Sequence, residues 1–173
     1  MEILILGLQD HRIQEAPRSF RDPLREQQRR QLELLLRRVV QSRKVDFIGE
    51  ETYPARNTIA KQVAHCLGFR WVAIEMSERA RDELGIAEEQ RTRPASPNES
   101  RVASDAIREE FMVWKTLKEA VSAQSILVVC GLMHTHALAE RFRKAGYEPD
   151  IQDLCDSLRP PKGEVTATRA FRL

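Results

Sequence analysis

Three short apolar runs constrain this chain more than any other feature: Ile3–Leu6 before Gly7, Val45–Gly49 before Glu50, and Ile126–Cys130 before Gly131. Runs of four to five residues that are apolar at nearly every position suit strands buried on both faces. Between them lie helical patterns. Leu24 to Arg43 places Leu32, Leu35, Leu36, Val39 and Val40 at helical spacing. Asn57 is placed to cap a helix with Ile59, Val63, Cys66 and Leu67 on its apolar face, and Gly68 follows as a left-handed stop. Phe69–Ile74 reads as a third strand ending in Glu75, and Ser77 as the cap of a short helix through Leu84. Val102–Ser122 reads as a long helix with Ile107, Phe111, Trp114, Leu117 and Val121 on its core-facing stripe. Ala137–Ala145, closed by Gly146, is a further helix, and Tyr147–Ile151 a fifth strand.

Strands alternating with helices imply right-handed crossovers. The expected fold is a single α/β domain over 1–173, with a mainly parallel sheet of about five strands flanked by helices. The stretch 88–100, with two prolines and no periodicity, reads as a mobile loop. The stretch 152–173 reads as a tail or an antiparallel edge strand, from the alternation of Val165, Ala167, Arg169, Phe171 and Leu173.

Composition narrows the partners. Lys plus Arg is 28 and Asp plus Glu is 26, a net charge of +2. That balance argues against nucleic acid as a partner, and Glu26 and Glu33 dilute the basic group Arg25, Arg29, Arg30, Arg37 and Arg38. No apolar run approaches roughly 18 residues, so no membrane partner is expected. Met1 to Gly7 reads as a strand and not a leader. Cys66, Cys130 and Cys155 lack zinc spacing; the first two read as buried hydrophobes, and a reducing, cytoplasmic setting fits. A homodimer through the tail's edge strand is a further expectation.

Ionisable residues follow the strands: Asp10-His11-Arg12, Glu50-Glu51, Glu75, and His134 with His136. Parallel strands bring such positions to one rim, where ligands of open α/β sheets bind. The candidate catalytic residues are His134, Glu51, Glu75, Arg108 and Glu109, and the candidate metal ligands His11, Glu50 and His134. Histidine and carboxylates either ligate a divalent metal that activates water or work as a base and its orienter, with Arg108 holding an anion. The competing structural readings are a surface or ion-pairing role for one of Glu50 and Glu51, a helix-capping role for Glu75, and a solvated helical face for Arg108-Glu109-Glu110. His65, mid-helix beside Cys66, reads as packing. The hydrolase expectation is built on Glu50 and His134 as its first groups, and it requires both to open onto one surface.

Two of these segments resemble a known superfamily. Ile126 to His134, with Gly131-Leu132-Met133-His134 and the helix after it, is similar to the late strand-G-x-x-H of the TraB/Tiki and erythromycin-esterase/ChaN-like proteins. Val45–Glu51 resembles their acidic strand, and Arg108-Glu109 their helical Arg-acid pair. Gly7-Leu8-Gln9-Asp10-His11 is one residue longer than their first G-x-x-H. The resemblance spans roughly 1–151. It implies a hydrolase, metal-assisted in some members, acting on a small-molecule or peptide substrate. A non-catalytic binding module of the same fold is the alternative.

Overall fold

The computed structural model describes residues 1–9, 13–15, 23–86 and 103–153. Five strands form one sheet: β1 (Glu2–Leu8), β2 (Phe47–Glu50), β3 (Arg70–Ala73), β4 (Ser125–Gly131) and β5 (Asp150–Asp153). Their order is β3-β2-β4-β1-β5 and all pairings are parallel. The helices are α1 (Pro23–Ser42), α2 (Ile59–Leu67), α3 (Glu78–Glu83), α4 (Ala103–Glu119) and α5 (Thr135–Lys144), with a 3₁₀ turn, Leu132–His134, leading into α5.

Period-two alternation divides the core between the sheet's faces. Leu4, Leu6, Ile48, Leu127 and Val129 face α1 and α2 in one cluster. Ile3, Ile5, Phe47, Ile126, Val128 and Cys130 face α4 and α5 in the other. This explains why β1 from Ile3 to Leu8 and β4 from Ile126 to Gly131 carry no polar side chain. The chain leaves β2 for α2 on the first face and leaves the neighbouring β4 for α5 on the second. The rim between β2 and β4 is therefore a switch point, where strand ends splay into a crevice.

Local signals account for most element ends. Gly68 adopts φ 76°, a left-handed value that favours glycine, and its N–H closes α2 onto Ala64 and His65. Ser77 accepts from the Ala80 N–H to cap α3. The α2 cap is Thr58 and not Asn57: its Oγ1 accepts from the Lys61 N–H at 3.2 Å. Cys66 is exposed, against the expectation of a buried hydrophobe, whereas Cys130 is buried. The β5 strand begins three residues later than expected, and it pairs parallel to β1. On α1, Arg30 pairs with Glu26 at 3.4 Å and Arg37 with Glu33 at 2.9 Å, so these basic residues sit on a solvated face. The loop 88–100, the edge strand drawn over 165–173 and Cys155 lie outside the described residues.

The largest departure is α4. Its buried residues are Ser104, Asp105, Arg108, Glu109, Met112, Val113 and Thr116. Three of the five residues expected on the core stripe are exposed instead, Ile107 at 46 %, Trp114 at 52 % and Val121 at 85 %, whereas Leu117 does pack against the core and Phe111 is half-buried. The helix turns its polar face to the sheet because charged groups at the ends of β2 and β3 await it there.

Gly49 faces the side chains of Ile74 and of Thr116 on α4. A Cβ there would stand 3.2 Å from Ile74 Cγ2 and 3.3 Å from Thr116 Oγ1. Gly49→Val is expected to destabilise the protein by about 1–3 kcal/mol, the usual cost of overpacking a core. Urea unfolding checks this; a change under about 0.5 kcal/mol would show that the layer accommodates the side chain.

Candidate functional site

Asp105, Arg108, Glu109 and Met112 follow i, i+3, i+4, i+7 spacing, which puts them on one face of α4. This face lands on the rim of the sheet beyond β2, β3 and β4. Arg108, 7 % exposed, is the centre of the resulting network. Its Nη2 donates to Glu51 Oε1 at 2.9 Å and to Glu75 Oε2; Nε reaches Glu75 Oε1 at 3.2 Å, and Nη1 reaches Asp105 Oδ1 at 3.2 Å. Burial works against the guanidinium's charge, but the Glu75 hydrogen bond and the surrounding carboxylates outweigh it and hold Arg108 firmly protonated.

Glu51 is the junction. It follows β2 directly, and its N–H bonds Val129 O at 2.8 Å, so its side chain takes the face opposite Glu50. Besides Arg108, it accepts the Gly131 N–H on Oε2 at 2.8 Å, and its Oε1 lies 3.5 Å from His134 Nε2. The G-x-x-H spacing thus has a physical content: the glycine's amide and the histidine's ring converge on one carboxylate. His134 Nδ1 meets Glu109 Oε1 at 2.9 Å, and Glu109 Oε2 lies 3.4 Å from Arg141 Nη2. Burial alone would lower the His134 pKa. The Glu109 hydrogen bond and the Glu51 charge overcome it, and the pKa rises above its ordinary 6.5.

The five candidate catalytic residues Glu51, Glu75, Arg108, Glu109 and His134 therefore form one connected, buried cluster. Glu75 also accepts its neighbour Met76's N–H at 2.8 Å, and it caps no helix. A cleft of about 260 Å³ opens beside the cluster, lined by Gln14, Glu51, Tyr53, Glu75, Arg81 and Arg108 among others. Gln14 is 4 % exposed and its Nε2 has no hydrogen-bond partner among the described residues. Sequence reasoning missed Asp105, Arg141, Gln14 and the Gly131 amide. Asp105 was findable, three residues before Arg108 on the same face; the others meet the site only through the tertiary fold.

The candidate metal ligands fare differently. His11 lies outside the described residues. Glu50 is turned to the α2 face of the sheet and His134 to the α4 face, which overturns the expected Glu50–His134 pair; the strand-end acid that meets His134 is Glu51. Glu50 is no surface carboxylate either. It is fully buried on the α2 face, where Oε2 accepts from Thr58 Oγ1 at 2.5 Å and from Trp71 Nε1 at 2.7 Å. Among the described residues, no group of three or more His, Cys, Asp or Glu is arranged to hold a metal ion. His136 is exposed in the first turn of α5, and His65 is exposed on α2, not packed.

Burial raises the Glu50 carboxyl to about 7, against the partial relief of its Thr58 and Trp71 hydrogen bonds. The sign of the stability effect follows. A folded pKa above the unfolded value means the native state binds the proton more tightly, so stability falls as pH rises through the window from 4.5 to about 7. The loss is about 3 kcal/mol, at 1.36 kcal/mol per unit. Glu50→Gln is expected to flatten this dependence, matching the native protein near pH 5 and exceeding its stability at pH 8. Urea unfolding at both pH values checks it; an unchanged or lower stability of the variant at pH 8 would contradict a strained, buried carboxylate.

Among the described residues, no helix is long and apolar enough to cross a membrane. No protein-family model, no curated protein and no solved structure matches this chain, so the geometry of the cluster is the ground on which its function is argued.

Proposed function

We propose that this protein is a hydrolase that cleaves an ester or amide bond of a small-molecule or peptide substrate seated in the cleft beside Glu51. One observation carries the reading. The Glu51 carboxylate lines the cleft and at the same time contacts Arg108, the Gly131 amide and the His134 ring, itself oriented by Glu109. A carboxylate and a histidine so joined can take the proton of an attacking water while its oxygen bonds the acyl carbon. They then return that proton to the departing oxygen or nitrogen, so the cycle is proton-neutral. Arg108 balances charge around the pair. The segments that resemble the TraB/Tiki and erythromycin-esterase/ChaN-like proteins are in keeping with this chemistry.

A specific observation favours the second reading, a binding module without catalysis. Arg108's Nε, Nη1 and Nη2 are committed to Glu75, Asp105 and Glu51, so a substrate oxyanion must compete with protein carboxylates for it. The test is a panel of chromogenic esters and anilides turned over by the purified chain and by Glu51→Gln. Turnover that disappears in the variant supports hydrolysis; equal rates in both, or none in either, leave the binding module. Divalent ions are screened alongside by thermal shift. An ion that raises the melting temperature by mass action adds a metal to the reading.

A further inference from the structure

The outer face of α4 repeats the oddity of its inner one. A helix that buries Asp105, Arg108 and Glu109 exposes Ile107, Trp114 and, in the turn just after it, Val121. Phe111 packs against Trp114 with ring centroids 5.5 Å apart, and Lys118 Nζ lies 4.7 Å from the Trp114 ring centroid, so aromatic and cation share one surface. An exposed tryptophan packed on a phenylalanine and flanked by charged residues, with further exposed apolar residues two helical turns away, has the composition of an interface anchor.

The sequence of this face is complementary to itself. If two copies of α4 cross antiparallel with the two-fold axis at Trp114, each residue k positions before Trp114 meets the residue k positions after it in the partner. Glu110, exposed and four before, then meets Lys118, exposed and four after. Ile107, seven before, meets the turn that carries Val121, seven after. The tryptophans meet at the axis. Opposite charges face each other twice, and the apolar ends cover each other twice. A parallel arrangement would instead oppose Glu110 to Glu110 and Lys118 to Lys118, so charge selects the antiparallel one.

We propose that a second copy of this chain covers the outer face of α4, forming a two-fold dimer centred on Trp114 with reciprocal Glu110–Lys118 ion pairs. The interface stands apart from the cleft and is independent of the hydrolase reading. It also gives a reason for the inverted helix: its inner face serves the cluster and its outer face the partner.

Sedimentation of the full chain from about 1 to 200 µM, the range in which a small interface of this kind dissociates, tests the proposal. A reversible monomer–dimer equilibrium is expected, and Trp114→Glu should weaken it at least about tenfold, as loss of an aromatic anchor does. Glu110→Lys alone and Lys118→Glu alone should each weaken the dimer, since each places like charges in opposition, and the double exchange should restore it. Circular dichroism establishes that each variant is folded, and the charge variants, exposed in the monomer, keep the test open if Trp114→Glu does not fold. A monomer throughout the range overturns the proposal. So does a dimer that Trp114→Glu changes less than about twofold, or a double exchange no tighter than the single ones.

Discussion

Replacing Arg108 with leucine should lower the free energy of unfolding by about 3–5 kcal/mol at pH 7, the loss expected when one partner is removed from a buried ionic network. The guanidinium touches Glu51, Glu75 and Asp105, and the last is fully buried. Without it, three carboxylates are left in a site that water barely enters. A domain with about 5–15 kcal/mol of total stability would keep little of it. The deficit should shrink in acid, because orphaned carboxylates take up protons and cease to repel one another. Arg108→Lys should recover only part of the loss, since an ammonium cannot bridge three carboxylates as a planar fork does. Urea unfolding of the three proteins at pH 7 and pH 5 checks each statement. A loss below about 1 kcal/mol for leucine would mean the cluster is solvated and not a buried ionic core.

Substitution of His134 by asparagine should leave the fold intact and remove turnover by about 10²–10⁴-fold, the range lost when a positioned proton carrier is deleted. Glu109 retains its contact with Arg141, and Glu51 keeps the Gly131 amide and Arg108. The structural consequence should therefore be modest, and it has a sign. A histidine whose folded pKa is raised contributes stability that is fully present below its ordinary value of 6.5 and fades as pH climbs through the folded value. His134→Asn is accordingly less stable than the native protein near pH 5 and close to it at pH 8. Turnover measured at pH 8 then separates chemistry from folding. Activity within threefold of the native protein would remove His134 from the reaction.

Much of the architecture could be read without coordinates. Apolar runs of β1, β2 and β4, closed by polar residues, declare strands buried on both faces, and Gly68 and Ser77 mark helix ends by conformations and caps that few other residues supply. The rim cluster was also legible in outline, because ionisable residues immediately after strands have few other places to go. What failed was the facing of α4. Hydrophobic periodicity assumes that apolar residues face inward, and here Ile107 and Trp114 do not. The reason lies at long range: Arg108 meets Glu51 and Glu75 across 57 and 33 residues of chain. No local pattern reports that compensation. The same limit explains Glu50. Its burial depends on Thr58 and Trp71, and on an alternation between faces that continues one residue farther than the apolar run suggested.

That alternation gives the β2 segment a reading frame. Glu50 and Glu51 are neighbours in the chain, yet one is folded into a hydrocarbon layer and the other into an ionic one. Inserting or deleting a single residue between Val45 and Gly49 would exchange them, sending toward Arg108 the acid that belongs beside Trp71. Length changes in this stretch are thus tolerable only in pairs, a parity constraint written by the pleat itself.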